Sequence, residues 1–153
     1  MLDRLFSLFQ GNEEDNGLSA NDPRVAAAAL MYHVMDADGE RREEERAVLR
    51  KMVADTYGLS GDALADVLKA GEQADREAVD LYAFTSVIKR ELDEPARNTF
   101  IEILWEVVFA DGLMHELEDN TVWRIAELIG VSGRERVLLR SEVAGRHGVS
   151  LTG

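Results

Sequence analysis

Met35-Asp36-Ala37-Asp38-Gly39 and Val108-Phe109-Ala110-Asp111-Gly112 lie 73 residues apart, which sets Asp38 over Asp111 and Gly39 over Gly112. The same spacing sets Leu30 over Ile103, Met31 over Leu104, Tyr32 over Trp105, Val34 over Val107 and Met35 over Val108. Beyond the glycines it sets Glu45 over Glu118. After a one-residue slip, Gly58-Leu59-Ser60-Gly61 answers Gly130-Val131-Ser132-Gly133. Each copy therefore reads as helix, Asp-Gly break, helix, glycine stop and serine-started helix, a unit that leaves an apolar face for a second copy to cover. The expectation is an all-α protein: a compact bundle of about seven helices with an internal pseudo-two-fold repeat that brings the two acidic corners into register.

The helices follow from periodicity and from stop signals. Pro23 and Pro95 follow acidic residues and open apolar runs, Ala27, Leu30, Met31 and Val34 in one case and Phe100, Ile103, Leu104, Val107 and Val108 in the other. Both prolines read as first helical positions, where a missing N–H costs nothing. The charged run Glu40 to Arg46 reads as a solvated first turn, followed by the stripe Val48, Leu49, Met52, Val53 and Tyr57 and a stop at Gly58. Ser60 and Ser132 read as N-caps of helices over about 61–74 and about 133–145, Ser132 with Glu135 forming a capping box. Asp80 caps a stretch with Leu81, Phe84, Val87 and Ile88 on one face, ending near Glu91. The domain boundaries read from this pattern are an amphipathic N-terminal helix over 1–10, an acidic linker over 11–21, the helical domain over 22–146 and a tail over 147–153.

Composition removes several function classes. Thirty Asp and Glu against seventeen Lys and Arg give −13, a field that repels phosphate backbones, so no nucleic-acid partner is expected. Without cysteine there is no thiolate metal site, disulfide or cysteine nucleophile. No run reaches the roughly 18 apolar residues of a membrane span, and no export signal is evident, so a cytoplasmic protein is expected. In the first ten residues Leu2, Leu5, Phe6 and Phe9 share one helical face. Such a segment either packs on its own domain or makes peripheral contact with a membrane or a protein partner, and its single Arg4 gives little attraction to anionic lipid.

No phosphate loop, nucleophile elbow or Ser/His/Asp set is present, so no catalytic residue is assigned and the chain is not expected to be an enzyme. Chemistry concentrates at the Asp-Gly corners. Asp38-Gly39…Glu45 and Asp111-Gly112…Glu118 match positions five, six and twelve of a calcium-binding EF-hand loop. Position one falls on Val34 or Val107, and position three on Asp36 or Phe109, which excludes a complete EF-hand in both copies. Two readings of the corners stand. Asp38, Glu45, Asp111 and Glu118 supply carboxylates for one hard cation, calcium or magnesium; or they are turn residues and helix caps with solvated charge, the commoner case in an acidic protein. His33, His115 and His147 show no metal-ligand spacing with one another, and His115 reads as an exposed turn histidine, the alternative being that it adds a nitrogen ligand near Asp111. Trp105 and Trp123 read as core or groove residues.

Three stretches carry a family likeness: Asp80-Leu81-Tyr82-Ala83-Phe84-Thr85, Leu104-Trp105-Glu106-Val107-Val108-Phe109-Ala110-Asp111-Gly112, and Arg124-Ile125-Ala126-Glu127-Leu128-Ile129-Gly130-Val131. With them the chain resembles the TerB family of tellurite-resistance-like proteins over about residues 20–145. That resemblance implies an all-helical duplicated domain, also found attached to a DnaJ-type co-chaperone, with no established enzymatic activity and an association with stress. It implies an acidic metal site whose Asp-Gly…Glu elements fall on Asp38, Glu45, Asp111 and Glu118, and a role in protein interaction. The second turn departs from the pattern, because Leu113, Met114 and Leu117 stand where further acidic residues are common.

Overall fold

In a computed structural model that describes residues 18–151, the first apolar run forms helix α1 (Pro23–Met35), buried along almost its whole length from Val25 to Met31. It continues into α2 (Glu43–Tyr57), α3 (Gly61–Glu77), α4 (Tyr82–Glu91), α5 (Glu94–Val108), α6 (Glu116–Ile129) and α7 (Gly133–His147). No strand occurs among the described residues. Helix α1 is the centre of the bundle, packing most extensively on α3 and also touching α2, α4, α5 and α6. Helix α5 plays a similar part in the second half, against α7, α6 and α2.

Closeness of α1 and α3 follows from small residues. Ala26, Ala27, Ala28 and Ala29 are fully buried, and Gly71 of α3 lies so near that a Cβ there would sit 2.5 Å from Ala28 Cβ and 3.1 Å from the Ala29 amide nitrogen. Larger side chains fill the second half. Trp105 stacks on Phe109 at 5.6 Å between ring centroids, and Trp123 meets Trp105 edge-on at 6.2 Å.

Local chemistry sets most helix ends. Asp22 and Asp93 cap α1 and α5 by accepting the Arg24 and Ala96 amide protons, at 2.9 and 3.0 Å. Because Asp93 starts α5 at Glu94, Pro95 is the second helical residue rather than the first, still within the turn whose N–H groups have no intrahelical partner. Asp80 accepts the Tyr82 amide at 2.9 Å, but Leu81, already helical at φ −86° and ψ −7°, is the N-cap of α4. Glycines in the left-handed conformation stop α2, α6 and α7 at Gly58, Gly130 and Gly148. Helices α3 and α7 run a few residues past their expected ends, to Glu77 and His147, and His147 is pinned to Glu106 at 2.9 Å rather than fraying. The helix expected over residues 1–10 and most of the expected linker lie outside the described residues. Among those described, no helix is long and apolar enough to cross a membrane.

Candidate metal centre

Each Asp-Gly corner is built by the same sequence of backbone events. The residue after α1, Asp36, takes φ −94° and ψ 6°, and the residue after α5, Phe109, takes φ −95° and ψ 12°. The amides of Ala37 and Ala110 donate to Val34 and Val107, and those of Gly39 and Gly112 to Asp36 and Phe109, both at 2.9 Å. Gly39 and Gly112 turn through φ +81° and +79°, a region an L side chain enters only with strain. Nothing lies within 4 Å of a Cβ built at Gly39, so conformation rather than space demands glycine there. Asp38 Oδ1 then accepts the Glu40 amide and Asp111 Oδ1 the Leu113 amide, at 3.0 and 3.1 Å. That leaves each Oδ2 to face inward.

The two corners meet on one side chain, Arg42. Its Nη2 lies 2.9 Å from Asp38 Oδ2 and 2.9 Å from Glu40 Oε2, its Nη1 3.3 Å from Glu118 Oε2 and 3.7 Å from Glu45 Oε1, and its Nε 3.8 Å from Asp111 Oδ2. All four carboxylates singled out from the sequence thus surround one guanidinium. Asp36 does not join them, because both its oxygens are held by Arg41, which also binds Glu72 and lies over the Tyr32 ring.

Glu45 and Glu118, on the first turns of α2 and α6, are both completely buried. Glu45 therefore does not belong to a solvated first turn. It lies on the same stripe as the buried Leu49 and Val53, one and two helical turns on, just as Glu118 precedes Val122 and Ile125. Neither oxygen of Glu45, nor Oε1 of Glu118, has a hydrogen-bond donor among the described residues. Burial first, then the facing Glu45, pushes the Glu118 carboxyl up to about 10, and burial also raises Glu45. The pair holds a proton in place of a second negative charge. Burial acts on Asp38 in the same direction, but the hydrogen bonds from Arg42 and from the Glu40 amide outweigh it and leave that carboxyl below its ordinary value.

His115 is not an exposed turn residue. It is the N-cap position of α6, its side chain only 15% exposed, with Nε2 2.8 Å from Asp111 Oδ2. Ligand atoms of Glu45, His115 and Glu118 all lie within 4.8 Å of one another, so the groups a single ion could use include an imidazole besides carboxylates. Beside them, Arg140 of α7 binds Asp119 through two nitrogens at 2.8 and 3.1 Å and places its guanidinium over Trp105.

A helical bundle whose second half carries Trp105 and the Asp111-Gly112 corner matches a known family model. That model, described as tellurite resistance protein TerB, covers residues 24–141. The chain belongs to the TerB family. A relative of this TerB-family chain, the co-chaperone protein DjlA of Vibrio parahaemolyticus serotype O3:K6 (strain RIMD 2210633), is 30% identical over 130 residues. The match takes in 79% of this chain and 44% of the relative, so the chain spans less than half of that protein's length. No solved structure matches the chain.

Proposed function

We propose that this TerB-family chain is a non-enzymatic, cytoplasmic, stress-associated module that holds a divalent cation between its two Asp-Gly corners and presents the adjoining surface to a protein partner. One observation carries the cation reading: two glutamates, one on α2 and one on α6, are completely buried, and three of their four oxygens receive no hydrogen bond from any other of the described residues. Burying carboxylates with too few donors is costly, and a divalent ion would offset the cost that the single Arg42 guanidinium leaves. Five carboxylates face one guanidinium at this place, so negative charge remains in excess even while Glu45 and Glu118 share a proton. On this reading Asp38, Glu45, Asp111 and Glu118 are the metal residues. Calcium or magnesium is the ion that carboxylates alone would favour.

A protein partner is supported by the exposed apolar side chains beside the second corner. Leu113 and Leu117 are more than half exposed, as are Val137 and Leu138 of α7, and Arg140 ties the two segments by reaching Met114 Sδ at 3.2 Å. The co-chaperone name of the relative points the same way. In the alternative reading the domain over 22–146 binds no metal, and the segment over 1–10 recruits it to a membrane or protein surface.

Thermal melting of the metal-stripped chain with millimolar calcium, magnesium, manganese or zinc tests the first reading. A rise in melting temperature that follows ligand mass action is expected, and Asp111→Asn should reduce it. If no ion moves the melting temperature, the cation reading fails. Deleting residues 1–10 then tests the alternative: the domain should melt as before while its partner or vesicle binding disappears.

A further inference from the structure

We infer that the ion held between the corners is a first-row transition dication such as zinc or cobalt, ligated by His115 together with Glu45 and Glu118. This rests on the reading that the site holds a cation, and names its class. Oxygen donors alone suit calcium and magnesium, whereas an imidazole within the donor set suits zinc, copper, iron or nickel and is a poor ligand for hard ions. His115 has the surroundings of a ligand. Its Nε2 is paired with Asp111 Oδ2 at 2.8 Å, the carboxylate–histidine arrangement that fixes ring orientation in metal sites. With the Nε2–H donating its hydrogen bond to Asp111, the ring's remaining lone pair is on Nδ1.

Two further observations point to an ion on these three residues. Glu45 and Glu118 are completely buried, and Glu45 Oε1 and Oε2 and Glu118 Oε1 have no hydrogen-bond partner among the described residues. Ligand atoms of the three residues gather within 4.8 Å, compact enough for one ion, while Asp38 is already engaged by Arg42 and the Glu40 amide. Of the four carboxylates first singled out, Asp38 and Asp111 then become positioning residues: Asp38 holds Arg42 and Asp111 holds His115.

The test titrates the metal-stripped full chain with Co²⁺, followed by its visible absorption, and with Ca²⁺ in parallel, followed by melting. Transition ions bind most sites more tightly than calcium, so the informative measurement is the effect of His115→Gln. The variant should weaken Co²⁺ binding about tenfold or more and leave Ca²⁺ binding within about threefold of wild type. A His33→Asn, His147→Asn double variant should keep the cobalt spectrum. Cobalt binding unchanged in His115→Gln, cobalt binding lost in the double variant, or calcium binding at least as tight as cobalt would each overturn the inference and leave a cation site standing. Absence of binding by every ion would instead remove the cation reading itself. Side-chain ¹⁵N resonances of the wild-type chain with Zn²⁺ answer the question without a variant: His115 should shift and His33 and His147 should not, and the opposite pattern overturns the inference.

Discussion

In the first half of the molecule α1 and α3 approach until Gly71 lies against Ala28, whereas in the second half the large rings of Trp105, Phe109 and Trp123 pack on one another. The corners that follow α1 and α5 nevertheless have nearly the same dihedrals and the same hydrogen bonds. The corner is therefore a property of its own few residues, the Asp side chain that accepts an amide and the glycine at positive φ, and it tolerates very different packing behind it. The side chains mounted on that shared backbone then diverge. The first corner is followed by Arg42, which brings positive charge into the seam, and the second by His115, which brings a nitrogen donor.

The contrast in packing can be broken most severely at Gly71. Gly71→Ala would drive a methyl group into Ala28, and overpacking of this kind should cost about 3 kcal/mol, read by denaturant unfolding. A cost under about 0.5 kcal/mol would mean that α1 and α3 are not held as closely as described.

The seam itself is sharpened by pH. Glu118, raised to about 10 from an ordinary 4.5, binds its proton more tightly folded than unfolded. Its contribution to stability is full below about pH 4.5 and is lost as pH rises through about 10. The metal-free chain should therefore melt at progressively lower temperature from neutral pH to pH 10, and Glu118→Gln should flatten that slope. A flat wild-type profile would show that the two glutamates do not share a proton.

The smallest test compares the two serines that start the third helix of each half. Ser132 Oγ accepts the Glu135 amide at 3.2 Å, but Ser60 makes no such bond. Ser132→Ala should cost about 1 kcal/mol and Ser60→Ala only a few tenths. Equal losses would erase this difference between the halves.

Apolar periodicity, aspartate caps and glycine stops carried the helices in the sequence, because each acts within one or two turns of chain. The four acidic residues at the corners were legible for the same reason. Arg42 was not, and His115 was legible only as an alternative ligand beside Asp111, since their importance comes from contacts across the seam: Arg42 lies in a charged run that reads as solvated, and His115 has no second histidine at helical spacing. The burial of Glu45 did leave a trace. It precedes Leu49 and Val53 at four-residue intervals and Glu118 precedes Val122 in the same way, so each acid falls on the inward face of its helix.

Both tryptophans of the chain belong to the single ring cluster on α5 and α6. Arg140, over Trp105, also reaches Met114 in the second corner, so tryptophan emission samples α5, α6 and that corner rather than the contact of α1 with α3. Fluorescence and far-ultraviolet dichroism recorded during one melt consequently watch different territories, and a gap between their midpoints would report one half loosening before the other.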